Sequence, residues 1–268
     1  MNDSADTALV LRTDGAHAVE EGIVTLTLNR GARFNPLSME MIAALQVEID
    51  RLAEDRSARV VVLAGAGRGF CAGHDLKEMR ANSADESWGR KLFDDCSRMM
   101  MALTRLPQPV IAKVHGIATA AGCQLVSMCD LAVAASDAVF GLPGVNVGVF
   151  CSTPAVGVAR NLGRKRAMEM LFTGETITAD TALQWGLINR AVAAAELDAE
   201  VNKFAATIAS KSRAVLALGK AAFYRQIEDG MQTAYEGTGA TMACNLGLPD
   251  AAEGIDSFLG KRRPQWNP

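Results

Sequence analysis

VHGIATAAGCQLVSMCDLAVA, residues 114–134, reads as the end of one apolar strand, a run of small residues, a helix and the start of another strand. The strand before it, VIAKVHG (110–116), is short and apolar, the pattern of a buried strand. Ala120, Ala121 and Gly122 are near-minimal side chains and imply a backbone that something approaches closely. Gln124 is the first polar side chain after them and is expected to face whatever approaches. An amide neither takes nor delivers a proton near neutral pH, so Gln124 can orient a group there without acting as its acid or base. DLAVAA (130–135) and AVF (138–140) follow as further short strands.

Upstream, the same order of strand, small-residue turn and helix occurs once more. RVVVLAG (59–65) is an apolar strand, GAGRGFCAGHD (65–75) a glycine-rich turn, and a helix is expected from Leu76. Earlier still, GIVTLTLN (22–29) alternates as a strand does, and RGARFNP (30–36) turns. Ser38 is placed to N-cap a helix, with Glu40 in its first turn and Met41, Ile42, Leu45, Ile49 and Leu52 on one apolar face. Residues 86–105 carry Leu92, Phe93, Met99, Met100 and Leu103 at helical spacing and stop at Pro107 and Pro109. Thr153-Pro154 is expected to begin another helix with Thr153 as its cap. Beyond about 150 the chain reads as helices only, in RKRAMEMLF, TADTALQWG, AELDAEVNKFAATIAS, SRAVLALGKAAFYRQI and PDAAEGIDSFLG. The division expected is a core over 1–205 and a helical region over 206–268.

Composition narrows the function. With 268 residues, 49% hydrophobic and 21% charged, the chain is expected to be an ordinary globular protein. A net charge of -3 argues against a nucleic-acid or anionic-membrane partner. No apolar run is long enough to span a bilayer. The N-terminal stretch is acidic with no apolar core, so neither a signal nor a transit peptide is read there, and a cytoplasmic location is expected. The six cysteines (71, 96, 123, 129, 151, 244) show no C-x-x-C and read as buried small hydrophobes. The histidines at 17, 74 and 115 lie at no ligand spacing, so no metal site is expected.

Both small-residue turns open helices, whose first N–H groups have no partner within the helix and lie at the positive end of its dipole. Two such groups aimed at one point make an oxyanion hole, and the N–H groups of His74 and Ala121 are the candidates.

FCAGHDLKEM (70–79), then VHGIATAAGCQLVSMCDLAVA, FGLPGVNVG (140–148), LFTGETITADTALQWGLINRAV (171–192) and EGIDSFLGKRRPQW (253–266) resemble, in order, the enoyl-CoA hydratase/isomerase (crotonase) superfamily. CAGHDLKE, ATAAGCQL and the segment around PGVNVG are similar to its enoyl-CoA hydratase domain-containing branch. The resemblance implies an α/β fold, the ClpP/crotonase-like spiral of ββα units with a C-terminal helical trimerisation region. It also implies a homotrimer or dimer of trimers and an acyl-CoA thioester substrate, with coenzyme A part of that substrate and no cofactor bound permanently. The family's oxyanion donors fall on His74 and Ala121. Its acyl-CoA contacts carry over to Arg33, Asn35 and Leu37, to Ala72, Asp75 and Leu76, and to Ile117 and Gly122. Phe258 and Lys261 match the closing helix that reaches the CoA of a neighbouring subunit. Phe34 stands where the family usually has a basic residue.

Family hydratases carry glutamates at the positions of Gln124 and Gly144. Both proton carriers are therefore missing, and hydration is expected to be weak. Decarboxylation of a malonyl-type thioester, thioester hydrolysis and non-catalytic acyl-CoA binding stay open. Some family decarboxylases match at His74 but carry a tyrosine near Cys151. The His74 ring is either a donor to the acyl group or filler behind its own N–H. Asp75 fits a helix-start carboxylate, Cys123 a buried hydrophobe, Cys151 a wall of the acyl pocket, and His115 a satisfied core histidine. Asn146 could bond a substrate or its own turn, and residues 78–92 are expected to border the acyl pocket.

Overall fold

Each turn of the chain lays one strand in a long sheet, then a short extended piece in a second layer, and then a helix. The computed structural model describes residues 8–15 and 21–267. His17 and most of the N-terminal stretch read for targeting signals lie outside them.

β1 (Val10–Asp14) and β2 (Ile23–Leu28) pair antiparallel at one edge, followed by α1 (Met39–Glu54) and β3 (Val60–Gly65). α2 (Leu76–Ala81), α3 (Glu86–Arg105), β4 (Val110–Val114), β5 (Ile117–Thr119) and α4 (Ala121–Met128) come next. Then follow β6 (Leu131–Ala135), β7 (Val139–Gly141), α5 (Ser152–Asn161), α6 (Arg164–Thr173) and β8 (Thr176–Thr178). α7 (Ala179–Trp185), β9 (Arg190–Val192) and α8 (Leu197–Ala209) complete the core, and α9 (Arg213–Gln226), α10 (Met231–Leu246) and α11 (Pro249–Leu259) close the chain.

The long sheet runs β1-β2-β3-β4-β6-β9 and is parallel from β2 onward. The second layer is β5-β7-β8, extended by bridges between Cys71 and Ala118 and between Leu37 and His74. This is the expected spiral of ββα units. β3 is apolar throughout because both of its faces are covered, as parallel strands require. Leu26, Leu63 and Val61 pack toward α1, α3 and α4. Val60, Val62 and Ile111 face Leu197, Val201 and Ala205 of α8 on the other side.

α1 follows the sequence reading residue for residue. Ser38 Oγ accepts the Met41 N–H at 3.2 Å, and the five apolar positions are buried. Elsewhere the structure departs from it. β1 and α10 were not expected, and β8 and β9 interrupt a region read as helices only. Strands of three residues are too short to show a period, and α10, with Gly237 and Gly239, buries none of its residues within this chain. α5 starts at Ser152, with Cys151 at the cap position and no side-chain cap, so Thr153 is not the cap. Pro154 is the third helical residue, where its missing N–H still costs no intrahelical bond.

The expected division at 205/206 falls inside α8. After α8 the helices lean on the core through one buried clamp. Lys220 Nζ donates to the Leu103 and Gln108 carbonyls at 2.9 Å and to Asp130 Oδ2 at 2.6 Å, while the Tyr224 hydroxyl donates to Asp130 Oδ1. Large apolar side chains stay uncovered there, among them Met231, Tyr235, Leu246 and Phe258.

Candidate active site

The segment 70–74 is held like a short strand between two neighbours. On one side Ala72 N–H donates to the Phe34 carbonyl at 2.9 Å, and Leu37 N–H to the Gly73 carbonyl at 2.8 Å. On the other, Cys71 N–H donates to the Ile117 carbonyl and Thr119 N–H to the Cys71 carbonyl, at 3.1 and 3.0 Å. The Thr119 hydroxyl donates to the Ala72 carbonyl. These bonds press the 73–74 turn against the start of α4. A Cβ on Gly73 would lie 2.9 Å from Ala120 Cβ and 3.3 Å from Ala121 N, and one on Gly122 would lie 2.0 Å from the Cys71 carbonyl oxygen. The approaching group implied by the small residues is therefore the backbone of 71–73. Gly73 (φ +99°) and Ala120 (φ +50°) take up the bends, the second at a strained position for a residue with a Cβ. Among the described residues no backbone acceptor meets the N–H of His74 or of Ala121.

The His74 ring is anchored to the chain on one side. Its Nδ1 lies 3.0 Å from the Leu37 carbonyl oxygen. A carbonyl only accepts, so Nδ1 carries the hydrogen, and in the neutral ring Nε2 is a bare lone pair. That Nε2 is buried and has no partner among the described residues. The ring stands edge-on to Phe93 of α3, with centroids 5.6 Å apart. Burial pushes its pKa below the usual histidine range, outweighing the Leu37 bond that favours the charged ring. Gln124 is 4% exposed, one helical turn after Ala121, and its Oε1 is likewise buried without a partner. α3, which carries Phe93, packs on α4, which carries Gln124. Between α2 and the first half of α3 a cleft of about 510 Å³ is lined by Met79, Asn82, Trp88, Leu92 and Phe93, the last of which also meets the His74 ring.

Gly144 sits in a tight 3-10 turn (Pro143–Val147), whose carbonyl accepts the Val149 N–H at 2.9 Å. A Cβ there would lie 2.3 Å from the Val149 carbonyl oxygen and 2.7 Å from Cys151 Sγ. The turn leaves no room for any side chain at this position. Burial pushes the Cys71, Cys96 and Cys123 thiols up to about 12 and raises Cys151 as well, so none is a thiolate near neutral pH.

The residues expected to touch coenzyme A divide sharply. The Asn35 side chain is fully buried. Its Oδ1 accepts the Arg30 N–H and its Nδ2 donates to the carbonyls of Ala66, Gly69 and Phe70. The Asn35 side chain thus organises the turn. The Leu37 side chain is also fully buried, and its carbonyl orients His74 instead. Arg33 pairs with Asp75 at 2.5 Å. Asp75 caps α2 through the Lys77 and Glu78 N–H groups. Burial would raise its carboxyl, but those N–H groups and Arg33 hold it below the usual range. Arg68, which no pattern in the sequence marked, lies over the Phe34 ring at 5.0 Å. Leu76 is exposed, while Ala72 and Ile117 are half-buried. Phe258 and Lys261 lie exposed at the end of the chain, far in sequence from the turns. Asn146 donates to the Gly174 carbonyl, and His115 Nε2 to that of Gly67, half-buried rather than in the core.

Comparison with known proteins fits this geometry. The family model "Enoyl-CoA hydratase/isomerase" matches residues 18–268. Enoyl-CoA hydratase domain-containing protein 3, mitochondrial, of Rattus norvegicus is 45% identical over 248 residues, 92% of this chain and 82% of the relative. A crystal structure of enoyl-CoA hydratase from Mycobacterium smegmatis is 56% identical with a TM-score of 0.93, covering 96% of this chain and 98% of that one. The crystal structure of human enoyl Coenzyme A hydratase domain-containing protein 3 is 44% identical with a TM-score of 0.91, covering 96% of this chain and 100% of that one. The expected cytoplasmic location does not stand, because the rat relative is named a mitochondrial protein.

Proposed function

This chain belongs to the enoyl-CoA hydratase/isomerase family, and from that premise we propose that it binds acyl-CoA thioesters with the carbonyl oxygen between the N–H groups of His74 and Ala121. The observation that carries the reading is that these two N–H groups, on turns packed against each other, lack any backbone acceptor among the described residues. A backbone donor left open in this way can take a ligand oxygen. One such donor contributes roughly 10²–10³ in rate where charge develops on the oxygen. The Ala121 donor opens α4, whose dipole adds to the attraction for negative charge. Arg68 over Phe34 supplies charge for the nucleotide end, and the uncovered C-terminal helices suit a trimer or dimer of trimers.

Hydration of an enoyl thioester is weak in this reading. Gln124 can hold a water but not deprotonate it, and Gly144 has no side chain and no space for one. Each missing acid or base costs about 10²–10⁴ in rate. The test is to titrate the protein with crotonyl-CoA and butyryl-CoA, and to compare hydration of crotonyl-CoA with that by a family member carrying both glutamates. Binding of both, with hydration at least about 10²-fold slower, supports the reading. Equal hydration rates, or no binding of either thioester, overturn it.

A further inference from the structure

His74 carries two groups of use to a thioester, and the reading above employs only its N–H. We infer that His74 Nε2 is the proton acceptor for hydrolysis of the bound thioester, with the Gln124 amide orienting the water. The inference rests on the carbonyl oxygen lying between the His74 and Ala121 N–H groups.

Three features of the ring support it. The Leu37 carbonyl fixes Nδ1–H, so Nε2 offers its lone pair and the positive charge formed on protonation is met by that same carbonyl. Base and orienting group are thereby both present, as a positioned base requires. The buried Nε2 and the buried Gln124 Oε1 have no partners among the described residues, and polar atoms in that state call for a water or a ligand. Phe93, edge-on to the ring, also lines the cleft of about 510 Å³ between α2 and α3.

Hydrolysis suits this arrangement better than hydration. The base and the N–H that holds the carbonyl oxygen belong to one residue, and in this proposal the base acts at the carbonyl carbon rather than at the β-carbon. Nε2 takes a proton from water as the water oxygen bonds to the carbonyl carbon, and the negative charge collects on the oxygen between the two N–H groups. The carbon–sulfur bond then breaks, and the leaving CoA sulfur takes the proton back from Nε2. One water is consumed, the acid and free CoA are formed, and the ring returns to its starting state. No second proton carrier is needed, which fits a site holding Gln124 and Gly144.

The test follows free thiol release and acid formation from butyryl-CoA, a saturated thioester that cannot be hydrated. Its binding is measured separately on the same full-length protein. Thiol release that falls by about 10²–10⁴ in kcat in His74→Gln supports the inference. Gln124→Met, on a different element, is expected to slow release as well and serves if His74→Gln does not fold. Butyryl-CoA that binds without being cleaved, or release unchanged in either folded variant, overturns the inference and leaves the binding reading intact. Failure of butyryl-CoA to bind overturns both.

Discussion

Adding a single carbon at Gly144 tests how tightly the turn around it is closed. The Cβ of Gly144→Ala would lie 2.3 Å from the Val149 carbonyl oxygen, where 3.0 Å is the least that real contacts show, a shortfall of 0.7 Å. Cys151 Sγ closes the other side at 2.7 Å. The oxygen cannot simply swing away, because the Val149 N–H is tied to the Gly144 carbonyl and the Gly148 N–H to that of Val145. Overpacking of this kind costs about 1–3 kcal/mol. Loosening the Val149 bond adds about 1 kcal/mol. At roughly 2–4 °C per kcal/mol for a chain of this size, the thermal midpoint should fall by about 4–16 °C. The assay is a melting scan at fixed protein concentration, since the midpoint of an oligomer depends on it. Gly89→Ala in α3 is the control. A Cβ there meets nothing within 4 Å, and losing a helical glycine should raise stability by about 0.5–1 kcal/mol. Gly144→Glu should fall further than Gly144→Ala, and paired with Gln124→Glu it should not restore hydration. A Gly144→Ala protein melting with the wild type, or a double variant that hydrates crotonyl-CoA at an unchanged midpoint, would refute the reasoning.

Gly122→Ala meets the Cys71 carbonyl at 2.0 Å, so it should abolish soluble folded protein or thioester binding, read by circular dichroism and titration. Lys220→Met strands the Asp130 carboxylate and should cost about 3–5 kcal/mol in denaturant unfolding, against about 1 kcal/mol for Tyr224→Phe. Ser212 Oγ caps α9 by accepting the Val215 N–H and donates to Asp250 at 2.5 Å, so Ser212→Ala should lose roughly 1–3 kcal/mol in the same measurement. Burial lowers the His74 pKa, so between that value and the unfolded value of 6.5 the unfolded chain binds the extra proton and stability rises with pH. Relative to His74→Gln, the wild type should therefore lose stability as pH falls from 7.5 into that window, by at most about 1.4 kcal/mol per unit. Parallel profiles would show that the ring titrates alike in both states.

Much of this was legible in the residues themselves. A helix with a whole apolar stripe, such as Met41 to Leu52, announces itself, because one local period decides both its type and its buried face. β3 and β4 announce themselves as unbroken apolar runs between turns. The small residues at 120–122 disclosed a close approach, since that fact belongs to the side chains; that Gln124 and Gly144 stand where the family has glutamates is what the resemblance implied. The approaching group, the backbone of Cys71 to Gly73, came only with the fold. So did the tautomer of His74, set by a carbonyl 37 positions away, and the pairing of Arg33 with Asp75, 42 positions apart. The four bonds by which the Asn35 side chain braces its turn likewise left no sign in the sequence. Backbone carbonyls and N–H groups are the same at every residue and leave no trace in a sequence. What sits opposite them is decided only when the sheets bring distant turns together.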